Sequence, residues 1–319
     1  MSTCQQRLHL RVLVKRIKGV IDMVQPILSI LSRANAFQVY AELSKPRPLS
    51  VIRLGDADGA LLGYPELTGR AEVDRYLKIY LGSKNMSDEL VMRLAKDLRN
   101  AVKAADVVGL PRAKQIAKHP MWAMVDTALE HYGLLVDNPV VTDAALHRLM
   151  QFALLYRPLV ARSDFLGLVS CRRVADKLGS LFGCEEIGWY GVRGDLGDIH
   201  RPHYPDGYEL MRERIRVPGS GSLFLVGAGW FGRIYCQWIK ERGGRALDIG
   251  SMFDSWAGLG RVGRGSGIAV RSLDVYRKIG SITRTDAVNR YNQLIDSFDL
   301  DSPKVAQNAS YLSSVPDYW

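Results

Sequence analysis

The sequence predicts an α/β protein with a mainly parallel sheet flanked by helices. From residue 49 to about residue 258, short buried strands alternate with helical segments, which is typical of such a sheet. A glycine-rich turn joins one of these strands to a helix, as is common where a sheet binds phosphates. The composition, with 47% hydrophobic and 24% charged residues over 319 positions, is that of a folded globular protein.

Residues 1–48 are predicted to form a basic helical N-terminal extension. They carry eight Lys or Arg residues against two acidic ones, in a chain of net charge +10. Apolar residues recur at helical spacing from residue 11 to residue 24, opposite a basic face. One interpretation is that residues 7–24 bind an anionic membrane surface. The alternative is a helix packed on its own domain, with its basic face in solvent.

A second helix is expected over 27–43, and the sheet follows it. The strand candidates are Ser50–Leu54, Ala105–Leu110, Asp164–Val169, Glu185–Tyr190, Leu223–Val226 and Arg245–Ile249, with helices near 71–82, 87–105 and 284–297. We predict a core domain over 49–260 and an irregular or helical tail over 261–319, packed on that core. Ligands of open parallel sheets bind beyond the carboxyl ends of the strands, so the motifs at those ends matter most.

The first strand ends in a short acidic motif. Arg53 is followed by Gly55, Asp56 and Asp58, which places two carboxylates two residues apart in a glycine-flanked loop. Hard divalent cations such as Mn²⁺ or Mg²⁺ take carboxylate ligands and bridge to substrate phosphates. The motif therefore suggests a site for a metal and a diphosphate. A surface turn containing two acids is the alternative.

A second motif follows the strand at 223–226. Gly227, Gly229 and Gly232 form a G-x-G-x-x-G turn at the start of a helix, and Asp248 ends the next strand. Locally this matches a dinucleotide-binding unit, and an NAD(P)-dependent oxidoreductase stays open. A turn that only lets the helix pack closely also stays open. Because a single clear strand follows, we favour a half-site for a nucleotide or its diphosphate.

Histidines beside acids form a third group of candidates. His147 follows Asp143, and His203 precedes Asp206. Either histidine could serve as a general base, an acceptor contact or a metal ligand, or could be structural. The four cysteines are scattered without metal-ligand or disulfide spacing, and no apolar run reaches eighteen residues. These features fit a cytoplasmic protein.

In their order along the chain, these motifs resemble the GT-D-type glycosyltransferases of bacteria. That family has an early R-x-G-D-G-E signature, which stands here as Arg53-Leu54-Gly55-Asp56-Ala57-Asp58, and a later stretch similar to residues 226–240. Segments 109–112, 142–147 and 203–206 also look like one branch of it. The resemblance covers about residues 49–258. This chain departs from the signature at Ala57 and at Asp58, whose carboxylate is one methylene shorter than that of glutamate.

The resemblance implies a Rossmann-like fold and a glycosyltransferase that uses a divalent metal and a UDP-sugar type of donor. It implies a glycan or lipid-linked acceptor in the synthesis of bacterial surface polysaccharide or glycoprotein. Donor contacts would come from Arg53, Gly55, Asp56, Asp58, Arg112, Gly227, Gly229, Gly232 and Asp248, with the metal at Asp56 and Asp58. A catalytic base would be Asp254, His203 or His147. No nucleic-acid partner is expected, and the enzyme would lie in the cytoplasm, peripheral to the inner face of the membrane. A non-catalytic nucleotide-binding module remains the third class.

Overall fold

A computed structural model of the protein contains a seven-stranded parallel sheet. It describes residues 32–81, 86–117, 120–135, 139–193, 203–259, 272–298, 300 and 302–319. The strands are β1 (Leu49–Arg53), β2 (Val107–Leu110), β3 (Val140–Asp143), β4 (Phe165–Ser170), β5 (Ile187–Gly191), β6 (Ser222–Gly227) and β7 (Arg245–Asp248). Their order in the sheet is β3-β2-β1-β7-β6-β4-β5, and every neighbouring pair is parallel. The predicted fold class is confirmed.

Helices fill the connections between the strands. The described α-helices are α1 (Ala36–Leu43), α2 (Asp56–Leu62), α3 (Arg70–Leu81), α4 (Asp88–Lys103), α5 (Ala113–Ile116), α6 (Pro120–His131), α7 (Leu146–Phe152), α8 (Tyr156–Ala161), α9 (Ala175–Phe182), α10 (Asp206–Arg214), α11 (Trp230–Glu241), α12 (Met252–Trp256), α13 (Asp274–Ile279) and α14 (Arg284–Phe298). A 3₁₀ helix spans Ser310–Ser314. None of the described helices is long and apolar enough to cross a membrane.

All six strand candidates are present, each with ends within two residues of the expected ones. One observed strand, β3, was not among the candidates. It has four residues, and its first residue, Val140, is exposed, so it shows neither a buried run nor a clear alternation. Pairing with β2 defines it, with Val108 opposite Val141.

Helix α1 belongs to the core and not to an appendage, which differs from the expected extension over 1–48. Asn35 accepts hydrogen bonds from the amides of Phe37 and Gln38, and the Gln38 side chain accepts one from the Asn35 amide. This capping box starts the helix at Ala36. Its apolar residues are buried, and the helix packs against α7 and the 3₁₀ helix. Residues 33–319 form one compact unit. The predicted helix at 7–24 lies outside the described residues.

The C-terminal segment packs on the same core. Val288 and Tyr291 of α14, together with Val305 and Leu312, are buried in one apolar cluster with α1 and the strands. The glycine- and arginine-rich stretch at 260–267 lies outside the described residues. On the sheet, α11 packs against β1, β6 and β7. These contacts fix the ends of the central strands, where the functional motifs lie.

Candidate active site

A cleft of about 280 Å³ lies at the carboxyl ends of the strands. Its walls come from residues at or after the ends of all seven strands, as open parallel sheets predict. The predicted site residues that line it are Arg53, Gly55, Asp56, Asp58, Arg112, His147, Gly227, Gly229 and Asp254. Gly232, Asp248 and His203 do not line it. Residues far apart in the sequence are thus brought together.

The two acids after β1 lie on a helix, not in the expected loop. Asp56 is the first residue of α2 and Asp58 the third, with Gly55 as the N-cap. The Asp58 carboxylate turns back to accept a hydrogen bond from the Gly55 amide, with an N–O distance of 2.6 Å. Asp56 is partly exposed, and its carboxylate has no partner among the described residues. The two carboxylates therefore have different environments.

Asp58 belongs to a buried ion pair with Arg233 of α11. The Arg233 guanidinium donates to Asp58 Oδ2 over 2.8 Å and to the backbone oxygen of Arg53 over 2.9 Å. The second Asp58 oxygen is buried without a hydrogen-bond partner. Burial raises the pKa of Asp58 to about 6, while the Arg233 charge limits the rise. Arg233 thus stabilises a carboxylate that the fold removes from water.

Asp248 is paired with Arg53 beneath the cleft. Arg53 Nη2 lies 3.3 Å from Asp248 Oδ2, and Arg53 Nε donates to the Asp248 backbone oxygen. Asp248 Oδ1 accepts from the Gly250 amide over 3.0 Å, and the side chain is fully buried. In a dinucleotide site this acid accepts from a ribose hydroxyl, which requires access. The Asp248 carboxylate has no such access.

The glycine turn after β6 is shaped by close packing and by one unusual backbone angle. A Cβ on Gly227 would overlap the Phe253 ring and lie 2.7 Å from the Gly250 oxygen. Gly229, the N-cap of α11, has φ of 54°, which favours glycine. A Cβ on Gly232 would make only ordinary contacts, at 3.4 Å or more. The first two glycines are therefore required by geometry, and the third is not.

Two of the three candidate bases line the cleft. Asp254 on α12 accepts a hydrogen bond from Arg172 Nε over 2.9 Å, and both side chains are largely buried. His147 Nδ1 lies 2.7 Å from Arg53 Nη1. Because a guanidinium only donates, this ring nitrogen must accept, and the proton of a neutral ring lies on Nε2. Asp254 is therefore the better placed of these two candidates.

His203 lies away from the main cleft, beside a separate cavity of about 30 Å³. Its Nδ1 accepts from the Arg193 amide over 3.2 Å, and Nε2 contacts the Tyr235 hydroxyl. Burial lowers the pKa of His203 to about 4, and the Arg193 charge acts in the same direction. Because both ring nitrogens of His203 have partners, the ring links the residues after β5 to α11.

The low pKa of His203 gives a testable pH dependence. Between pH 6.5 and pH 4 the unfolded chain binds a proton at this position that the folded chain does not, so the free energy of unfolding falls as the pH falls. His203→Gln should remove this loss, which is about 3 kcal/mol by pH 4. Urea denaturation of the parent protein and of His203→Gln at pH 7 and at pH 4 measures how much the free energy of unfolding falls between the two pH values. An equal fall in the two proteins would contradict a neutral, buried His203.

Residues 35–256 match the model of the family described as "GT-D-like: GT-D fold-like domain". The chain belongs to this family. The match confirms the family that the motif order predicted, and it supports the glycosyltransferase class. Comparison with curated proteins gave no match.

Two solved structures are similar to this GT-D-like chain. One is a selenomethionine-substituted structure of domain of unknown function 1792, with 15% identity and a TM-score of 0.45, covering 72% of this chain and 80% of that one. The other is described as domain of unknown function 1792 with a distinct glycosyltransferase fold, with 17% identity and a TM-score of 0.47, covering 70% and 79%. The family assignment rests on the match over 35–256 and not on these similarities.

The GT-D resemblance implies a metal bound by Asp56 and Asp58, but only one of these two carboxylates is open to an ion. Asp58 is held by Arg233 and by the Gly55 amide, so the two carboxylates do not form an open chelate. In the part of the chain that the structure describes, no three His, Cys, Asp or Glu side chains form a metal cluster. A Mg²⁺-like ion needs one or two carboxylates, with phosphates and water completing its shell. The residues present fit an ion held by Asp56 and by a bound diphosphate.

Several cleft residues were not among the predicted site residues. They are Gln115, Trp122, Arg148, Cys171, Arg193 and Arg233. Five arginines and three aspartates line the GT-D-like cleft. Arg53 and Arg112 are paired with the buried Asp248 and Asp143, which do not line it. Arg233 could have been noticed, because it is a charged residue on the face of α11 that packs against the sheet. Trp122 lies in the first turn of α6, and only the fold brings it to the cleft.

Proposed function

We propose that the protein transfers a sugar from a nucleoside-diphosphate donor, with a UDP-sugar favoured, to a glycan or lipid-linked acceptor in bacterial surface polysaccharide or glycoprotein synthesis. The observation that carries the proposal is one cleft in which the unpaired Asp56 carboxylate and the glycine turn before α11 lie together. The basic residues 7–24, outside the described part of the chain, would bring the domain to an anionic membrane that holds a lipid-linked acceptor.

The N-terminus of α11 is the proposed site of the donor diphosphate. This helix has twelve residues, and its first amides and its dipole favour an anion. Arg193 at the cleft wall is exposed, and its guanidinium has no partner among the described residues. It would add a second positive contact.

Asp56 is the proposed protein ligand of a divalent metal bound together with the diphosphate. Such an ion supplies Lewis-acid stabilisation of the charge on the leaving nucleoside diphosphate. Asp58 would act indirectly, because its hydrogen bond to the Gly55 amide and its ion pair with Arg233 fix the first turn of α2. That turn holds Asp56 in the cleft.

Asp254 is the proposed base of an inverting transfer. The acceptor oxygen would bond to the anomeric carbon, the bond from that carbon to the phosphate oxygen would break, and Asp254 would take the acceptor proton. Arg172 holds the Asp254 carboxylate in place. His147 and His203 are less suited, because the Nδ1 atom of each already accepts a hydrogen bond.

The role of Asp56 is tested by Asp56→Asn. At a donor concentration of about 100 Kd, binding should stabilise the folded protein by about 2.7 kcal/mol. We expect the part that depends on Mn²⁺ to disappear in Asp56→Asn, while stability without donor stays unchanged because the carboxylate has no partner. Thermal unfolding with UDP-sugars, in Mn²⁺ and in EDTA, measures this.

The matched control is Asp176→Asn, because Asp176 is an exposed acid in the first turn of α9 outside the cleft. It should respond like the parent protein. If Asp56→Asn also keeps the full Mn²⁺-dependent stabilisation, the metal is not held at Asp56.

A further inference from the structure

We propose that Trp122 is a stacking platform for a pyranose ring and that the Gln115 amide donates to one of its hydroxyls. This inference rests on the proposed glycosyltransferase function. Both residues line the cleft on the side of β2, next to the first turn of α2. The ring belongs either to the donor sugar or to a sugar of the acceptor, and the chemistry of recognition is the same for both.

The fold places the Trp122 ring through a close contact between two helices. Gly59 of α2 packs against α6 so closely that a Cβ there would overlap the Met121 carbonyl oxygen and lie 3.1 Å from the Val125 amide. As a result the indole lies over Gly55, with ring atoms 3.7 and 4.0 Å from the position of a Cβ on that glycine. Glycine at this N-cap leaves the space beside the ring open.

Trp122 is not explained by packing or by hydrogen bonding. The side chain is partly exposed, and its indole N–H has no partner among the described residues. Of the other tryptophans, Trp189 donates to Ser170, Trp256 donates to Gln151, and Trp230 and Trp238 are buried. Trp319 is partly exposed, but its indole nitrogen is buried, and it lies outside the cleft. A partly exposed aromatic ring on the wall of a cleft, beside polar side chains, indicates a ligand surface.

Gln115 supplies a polar group with a fixed direction. Its Oε1 accepts from the Arg112 amide over 2.9 Å, which closes the first turn of α5. The amide nitrogen is left without a partner among the described residues. A pyranose has one face of C–H groups, which suits an indole, and a rim of hydroxyls, which accept from an amide N–H. The two side chains match these two parts of a sugar.

The position favours a sugar over a nucleobase. Asp56, the proposed contact to the metal and the diphosphate, directly follows Gly55, on which the indole lies. The donor sugar is bonded to the diphosphate, and the acceptor sugar attacks the carbon so bonded. A nucleobase is separated from the diphosphate by the ribose. A platform next to Asp56 is therefore within reach of either pyranose.

The test compares ligands with and without the sugar. Calorimetric titrations of UDP, UDP-glucose, UDP-galactose and UDP-N-acetylglucosamine, and of methyl glycosides of the same sugars, are made with the parent protein, Trp122→Ala and Trp122→Phe. We expect Trp122→Ala to weaken sugar binding about tenfold, comparable to the loss of an aromatic ring under a stacked nucleobase, and Trp122→Phe to retain most of it. Weaker binding of UDP-sugars with unchanged UDP assigns the platform to the donor sugar. Weaker binding of glycosides alone assigns it to the acceptor.

Two results of these titrations would overturn the proposal. Equal weakening of UDP and UDP-sugars would show that a nucleobase stacks on Trp122, and unchanged binding of every ligand would remove the platform; both overturn the proposal. Tyr318→Ala, which removes a ring 71% exposed outside the cleft, is the control and should change nothing. Trp122→Leu replaces Trp122→Ala if the latter does not fold. If the parent protein binds none of the nucleotide sugars, the proposed function itself fails, and this inference fails with it.

Discussion

Replacing Arg233 by methionine is expected to destabilise the fold by about 3–5 kcal/mol, because it leaves a buried carboxylate without its countercharge. Arg233 donates to Asp58 and to the backbone oxygens of Arg53 and Gly229, and it lies 3.6 Å from Asp248. The loss should be smaller at pH 5 than at pH 8. The pKa of Asp58 is raised to about 6 in the folded state, so its side chain is mostly protonated at pH 5 and charged at pH 8. The folded state therefore loses stability as the pH rises through about 6, and the missing countercharge matters most above it.

Urea denaturation of a double-mutant cycle measures this coupling. Arg233→Met combined with Asp58→Asn should be more stable than Arg233→Met alone, because the uncompensated charge is gone. Arg277→Met is the control, since the Arg277–Asp274 pair is about 60% exposed on both sides and should contribute little. If the two substitutions at 233 and 58 are simply additive, the buried ion pair does not stabilise the site.

Gly59→Ala is expected to cost about 3 kcal/mol, at the upper end of the usual range for overpacking. The added methyl group would meet the Met121 carbonyl oxygen, and a backbone atom cannot move aside as a flexible side chain can. Helices α2 and α6 would have to separate, which would displace Asp56 and Trp122 together. We therefore expect donor binding to weaken as well, although Gly59 does not line the cleft.

The control for Gly59→Ala is Gly219→Ala, where a Cβ would meet nothing within 4 Å. It should leave stability and donor binding unchanged. Thermal unfolding and calorimetric titration of both variants measure the two effects. A Gly59→Ala protein with the stability and the donor affinity of the parent would contradict the close contact between α2 and α6.

The sequence was sufficient to predict the parts of the fold that depend on local pattern. Strand β6 has a continuous apolar run, and β1 has the apolar residues Leu49, Val51 and Ile52; a glycine follows or ends each strand, so both strands and the turns after them could be located. Because ligands of open parallel sheets bind beyond the carboxyl ends of the strands, Asp56 and Gly229 could be expected in one cleft, where the structure has them. Strand β3 was missed because its four residues become a strand only by pairing with β2.

The pairing of charges could not be predicted in the same way. Asp58 and Arg233 are 175 residues apart, and no spacing rule connects them. The sequence therefore suggested two equivalent metal-binding acids, whereas the fold gives Asp58 a buried arginine partner and leaves Asp56 open. Helix α1 shows the opposite case. Its capping box, Asn35 with Gln38, could be read from the sequence, but its burial follows only from packing against distant elements such as α14, where the Tyr291 ring contacts Phe37.

The measurement that tests the central claim most directly is a titration of the parent protein with a panel of UDP-, GDP- and TDP-sugars and with NAD, in the presence of Mn²⁺. We predict binding of at least one nucleotide sugar and no binding of NAD, because the cleft offers the Asp56 carboxylate and the amides of α11 while Asp248 is closed to a ribose. Binding of NAD without binding of any nucleotide sugar would contradict the account.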